Sequence, residues 1–167
     1  MGKEKLSKEI ALIRDEKIRN WTDKMLDIVP EQFWTIPASS SGKYHPVISN
    51  GPGGLVRHTK MMIQFALIFC RAYDLTQLDQ DKIISACILH DVHKPDYEHA
   101  FKTSDWLEDK VGKNTDLKEI KEIIKWHMGR WSKGFTSKVD VFSRNQWICH
   151  LADMAVTCQK IIEFKFD

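Results

Sequence analysis

Residues 79–91 read Asp-Gln-Asp-Lys-Ile-Ile-Ser-Ala-Cys-Ile-Leu-His-Asp. Ile83, Ile84, Cys87, Ile88 and Leu89 leave this stretch apolar nearly all round, and a helix without a polar face has to lie inside a fold rather than on it. Asp79 is a plausible N-cap and Pro95 blocks continuation. The segment is therefore expected to be a central helix, and it delivers two polar side chains, His90 and Asp91, into the interior at its end.

Upstream, the stripe Met62, Phe65, Phe69 predicts a helix over 55–73 with one buried face, and His58 lies one turn before Met62 on that face. It is preceded by a stretch from 38 to 54 containing Ser39-Ser40-Ser41-Gly42 and Gly51-Pro52-Gly53-Gly54, a loop by composition. Residues 4–28 read as one amphipathic helix through Leu6, Ile10, Ile13, Ile18, Trp21, Met25 and Ile28, closed off by Pro30 and Pro37. Downstream, Asp116 reads as the cap of a helix carrying Leu117, Ile120, Ile124 and His127 on one face until Gly129 ends it. A last helix opens on Ser143 and Gln146, which fit a capping box, and packs Trp147, Leu151, Met154, Cys158 and Ile162; His150 and Asp153 share another side of it. No internal repeat or strand alternation is present. The fold class expected is all-α, a single-domain helical bundle with a metal site between central helices. Residues 1–37 form an N-terminal helix and connector packed on the core, and residues 38–167 the main domain.

The chain's 167 residues suffice for a core without disulfide staples. Its 25 basic and 23 acidic side chains give a net charge of +2, which excludes a polycation built for duplex DNA and an acidic disordered tail. Cys70, Cys87, Cys149 and Cys158 form no C-x-x-C pair and fall in apolar helical patterns, so reduced core thiols are expected. The first residues lack an apolar signal core, no run approaches a membrane span, and Leu6 stands where a myristoylation pattern needs Ser or Thr. A soluble cytoplasmic protein is the expectation. No Walker-type phosphate loop occurs, so a nucleotide would be substrate rather than energy source.

Four separate helices thus bring His58, His90 with Asp91, His127, and His150 with Asp153 toward the interior. Buried imidazoles and carboxylates are costly unless paired or bound to metal, and convergence on a divalent ion is the economical explanation. A mixed nitrogen and oxygen donor set suits manganese, iron, cobalt, nickel or zinc better than magnesium alone, with one ion or two.

On these residues the chain resembles the HD superfamily, whose H…HD…D signature is matched by His58, His90-Asp91 and Asp153. In detail, Gly53-Gly54-Leu55-Val56-Arg57-His58-Thr59 and Leu89-His90-Asp91-Val92-His93-Lys94 are similar to the corresponding stretches of bacterial HD-domain 3′-to-5′ exoribonucleases. His99, His127-Met128-Gly129 and His150-Leu151-Ala152-Asp153 continue the likeness over roughly residues 50–160. The chain departs from that subgroup at His93, where glycine is common, and at Met128, where a second histidine is usual. Nothing before residue 40 resembles the subgroup's separate nucleic-acid-binding domain.

The resemblance implies a metal-dependent phosphohydrolase (phosphodiesterase, nuclease or nucleotidase) acting on a nucleotide or short single-stranded nucleic acid, in which the ion polarises a phosphoryl oxygen and acidifies a water. His58, His90, Asp91 and Asp153 would be metal ligands. His99 and His127 would either hold a second ion or steady a phosphate or water. Asp91, Lys94 and His127 are the candidate catalytic residues. Lys94, Arg57, Arg130, Lys133 and Trp131 are candidates for substrate binding, cations for phosphate and Trp131 for stacking a base; an ordinary solvated surface is the alternative for them. Residues 43–46 form either a substrate wall or an ordinary loop. His150 reads as an orienting partner or core residue, and His45 and His93 as surface or substrate-edge residues. The rival from another class is a noncatalytic domain that binds metal or nucleotide and regulates a protein partner. Oligomeric state is left open, a homo-oligomer included.

Overall fold

The structure is a computed structural model that describes residues 2–39, 41–43, 45–132 and 142–157. Among the described residues the secondary structure is entirely helical: α1 (Ser7–Ile10), α2 (Glu16–Leu26), α3 (Gly54–Ala72), α4 (Gln77–Leu89), α5 (His99–Val111), α6 (Thr115–Trp126) and α7 (Arg144–Thr157), with short 3₁₀ turns at Lys3–Leu6, Glu31–Trp34, Val47–Ser49 and Gly129–Trp131. The all-α reading therefore holds. No helix among the described residues is long and apolar enough to cross a membrane.

Helix α4 is the axis of the fold and packs against α1, α2, α3, α6 and α7, while α5 lies on α6. It is buried on every side from Asp81 onward. Its apolar residues fill the core, and each of its polar ones has a partner that offsets the cost of desolvation. The Asp81 carboxylate accepts hydrogen bonds from the backbone amides of Arg14 and Asp15 at 3.1 and 2.7 Å and from the Gln77 side chain at 2.8 Å. Lys82 pairs with Asp116 and Glu119 at 3.0 and 2.8 Å. Ser85 shares a 2.6 Å hydrogen bond with Thr22.

Asp81 also explains the first correction. The pattern over 4–28 is not one helix: it breaks between α1 and α2, where Asp81 takes up the amides of Arg14 and Asp15 and Asp15 caps α2 by accepting from the Ile18 amide at 2.9 Å. The apolar spacing survives the break because the turn buries Ile13, whereas Ile28 ends up exposed. Two caps also lie elsewhere than expected. Thr76, not Asp79, caps α4, in a reciprocal box where Thr76 Oγ1 accepts from the Asp79 amide at 3.1 Å and donates to its carboxylate at 2.6 Å. Asn114, not Asp116, caps α6, accepting from the amides of Asp116 and Leu117. In each case the residue two or three positions upstream has the extended backbone that a cap requires.

On α3 the fully buried stripe is Leu55, His58, Thr59, Met62, Ile63, Ala66 and Cys70, with Phe65 and Phe69 at its margin. On α7 the Ser143–Gln146 capping box forms as read, at 2.8 and 3.2 Å. Its buried face is Asn145, Ile148, Cys149, Ala152 and Val156, one position round from Trp147, Leu151 and Met154. Cys158 and Ile162 lie outside the described residues. Cys70, Cys87 and Cys149 are buried free thiols.

Candidate metal centre

Four elements end or begin at one point. His58 comes from the second turn of α3, His90 and Asp91 from the end of α4, His99 from the start of α5, and His127 from the end of α6; all five are buried. Gly54 lets the first of these elements get there. A Cβ at this position would lie 1.9 Å from the Ser49 carbonyl oxygen, so the loop before α3 could not close against the helix start. Gly129 performs the same service after α6: its φ is +55°, and a Cβ would fall 2.6 Å from the His150 ring.

The Asp91 carboxylate sits in the middle. Its Oδ2 lies 3.1 Å from His90 Nε2 and 3.7 Å from His58 Nε2, and its Oδ1 lies 2.9 Å from His99 Nε2 and 3.7 Å from His127 Nε2. Lys94 Nζ approaches Oδ2 to 2.7 Å and donates to the Ala38 carbonyl at 3.2 Å. Three of the rings are oriented from behind by backbone carbonyls: Nδ1 of His90 donates to Cys87 O at 2.8 Å, Nδ1 of His99 to Asp96 O at 2.9 Å, and Nδ1 of His127 to Ile124 O at 2.7 Å. A carbonyl can only accept, so Nδ1 of each ring carries a proton and Nε2 is the nitrogen turned toward the carboxylate, the atom that such a ring offers to a metal.

The residues therefore fit a divalent ion, and they fall into two sets whose donor atoms lie within 4.8 Å of one another: His58, His90, Asp91 and Asp91, His99, His127. Asp91 belongs to both, one oxygen to each. Asp153 stands beside the first set, its Oδ1 3.1 Å from His58 Nε2. Burial pushes the His58 imidazole down, against the opposing pull of the Asp153 carboxylate. Burial alone would raise the Asp91 carboxyl, but His90, Lys94 and His99 around it hold it well below the usual carboxylate range. At Lys94 burial opposes the charge and the Asp91 and Asp153 carboxylates more than restore it, raising its pKa.

Of the other residues singled out by sequence, His150 is an orienting partner: its Nδ1 donates to the His127 carbonyl at 2.6 Å. His93 is half-buried, bonded to Thr103 Oγ1 at 3.1 Å and packed edge-on against Trp106. Arg57 points its guanidinium at the carbonyls of Pro52 and Asn50, at 3.0 and 2.9 Å, and of Ile48, and lines a groove with Lys5, Trp34 and Lys60 outside the histidine cluster. Arg130 stacks over the exposed Trp131 ring at 4.4 Å, and that ring lies 6.2 Å from His150. Lys133 lies outside the described residues, as does Tyr44.

Of the two readings of His45, surface and substrate edge, the structure excludes the first. His45 is buried, and its ring meets that of His58 edge-on with centroids 5.0 Å apart. Burial, reinforced by His58 and Lys94, pushes its pKa down to about 4. A loop residue between Gly42 and Pro46 has no periodicity to reveal which way it faces. The helix α5 was also unread, although Leu107 and Val111 at its end are buried at helical spacing.

Compared with known families, residues 55–156 match the model of the HD domain. No curated protein and no solved structure gives a significant match.

Proposed function

The chain belongs to the HD-domain family, and on that premise we propose that it is a divalent-metal-dependent phosphohydrolase whose substrate is a nucleotide or a short single-stranded oligonucleotide. The observation that supports this reading is the Asp91 carboxylate held between two pairs of imidazole nitrogens, with Lys94 beside it.

His58, His90 and Asp91, with Asp153 adjacent, would hold one ion, and Asp91, His99 and His127 a second. When bound, such ions supply Lewis acidity toward a phosphoryl oxygen and lower the pKa of a water. The remaining contributions come from the chain. The Cys87, Asp96 and Ile124 carbonyls fix the tautomers of His90, His99 and His127 and thereby the direction of their lone pairs. The Ala38 carbonyl steers the Lys94 ammonium, which offsets negative charge developing on the phosphoryl group. Asp153 keeps the His58 ring in place through its 3.1 Å contact. The exposed Trp131 with Arg130 stacked on it offers a face for a base and a cation for a phosphate, which supports a nucleotide-type substrate.

The test is metal analysis of protein purified without added metal, followed by a hydrolysis screen of phosphomonoesters, phosphodiesters, nucleotides and short RNA and DNA with each divalent ion. One to two ions per chain and turnover of a phosphoester are expected. Protein that retains no metal and hydrolyses nothing would replace this reading with the noncatalytic regulator.

A further inference from the structure

The loop before α3 contributes to the site as well as the helices. Its two ends are fastened: the Ala38 amide donates to the Ser49 carbonyl at 3.0 Å, and the Leu55 amide donates to Ile36 O at 3.1 Å. At one end of the loop the Ala38 carbonyl receives Lys94 Nζ, and within it His45 lies edge-on against His58. His58, Lys94, Asp153 and Asp91, all members of the centre described above, are among the groups that act electrostatically on His45. A histidine on a solvated wall would have exposed neighbours. This one retains only 7% of its surface and is enclosed with the ligands.

Lys94 and His45 thus converge on the His58 side of the Asp91 carboxylate, one from the turn after α4 and the other from the loop. Both bring N–H donors, and neither belongs to the two sets of candidate metal ligands. Donors beside a metal centre that do not ligate the ion are placed for the oxygens of whatever the ion binds. We propose that His45 is a substrate-contacting residue that hydrogen-bonds a non-bridging phosphoryl oxygen alongside Lys94. This rests on the phosphohydrolase reading for its substrate but not for its test.

The test uses the manganese-loaded full-length chain with inorganic phosphate as probe, measured by calorimetry, for wild type, His45→Ala and His45→Gln, with metal content and thermal midpoint recorded for each. Loss of one hydrogen bond to a charged oxygen corresponds to roughly a ten- to hundredfold weakening of phosphate affinity in His45→Ala. His45→Gln, which keeps an N–H donor of similar reach, should recover part of that loss, and both variants should keep wild-type metal content. The assignment is overturned by wild-type phosphate affinity in both variants, by loss of metal along with phosphate, or by a manganese-loaded wild type that binds no phosphate. Failure of the reaction itself is read separately: a wild type that binds phosphate yet hydrolyses no phosphoester sinks the enzyme reading and leaves the His45 contact standing.

Discussion

Asp91 presents each of its two oxygens to a different pair of imidazoles, and this makes it the side chain on which most depends. Asp91→Ala should lower bound metal by roughly tenfold or more, since even residues that only orient ligands contribute ten- to hundredfold. Circular dichroism should show the helices intact and hydrolysis should be lost. Lys94→Ala should keep the metal and raise KM for the substrate; a variant that loses metal would show that the ammonium is needed to assemble the site rather than to meet phosphate. The thiols lead to a different kind of prediction. Burial pushes the Cys70 thiol up to about 12 and Cys87 well above its ordinary range, so neither ionises at pH 8. Titration of the native protein with a thiol reagent should leave Cys70, Cys87 and Cys149 unlabelled, and denaturant should release them. Rapid labelling of any of these three in the native state, located by peptide mapping, would contradict the burial of this cluster.

At the scale of elements, α4 is held by the polar groups it buries. Asp81→Ala would leave the Arg14 and Asp15 amides without their acceptor and free the turn between α1 and α2, a loss of about 3 kcal/mol for hydrogen bonds to a charged group. Urea unfolding measures it, and a loss under about 1 kcal/mol would mean that water replaces the carboxylate without cost. Lys82 ties α4 to α6 through Asp116 and Glu119. Burial opposes its charge, but the two carboxylates raise its pKa above the ordinary 10.5. A raised folded pKa gives stability that is complete below 10.5 and lost as pH climbs through the folded value. The wild type should therefore lose stability above pH 10.5 more steeply than Lys82→Met, and identical alkaline limbs would refute the linkage. The α3 and α6 helices were legible because each carries an unbroken apolar stripe, and the Ser143–Gln146 box because its two members are adjacent in sequence. The break after α1 was not, because its cause is the carboxylate of Asp81, distant in sequence.

For the whole molecule, ions that bind only the folded chain add stability by mass action, about 2.7 kcal/mol at a hundredfold excess over Kd. A chain of this size should gain about 5–10 °C in Tm with manganese, and a chelator should reverse it. A Tm indifferent to both would argue against a metal centre in the folded protein. The amino-acid order alone determined the all-α class, the central place of α4, and that His58, His90, Asp91 and His127 turn inward, because those follow from helical periodicity and from the cost of burying polar groups. The tertiary structure decided what periodicity cannot carry. Whether His99 and His127 meet Asp91, which oxygen each faces, and on which side His45 lies depend on how α5, α6 and a loop without periodicity are set against α4. That arrangement is fixed by the packing of α3, α6 and α7 on α4 and of α5 on α6, and by a buried carboxylate that ends a helix distant from it in sequence; the carbonyls three residues upstream of His90, His99 and His127 only aim rings that this packing has already brought together.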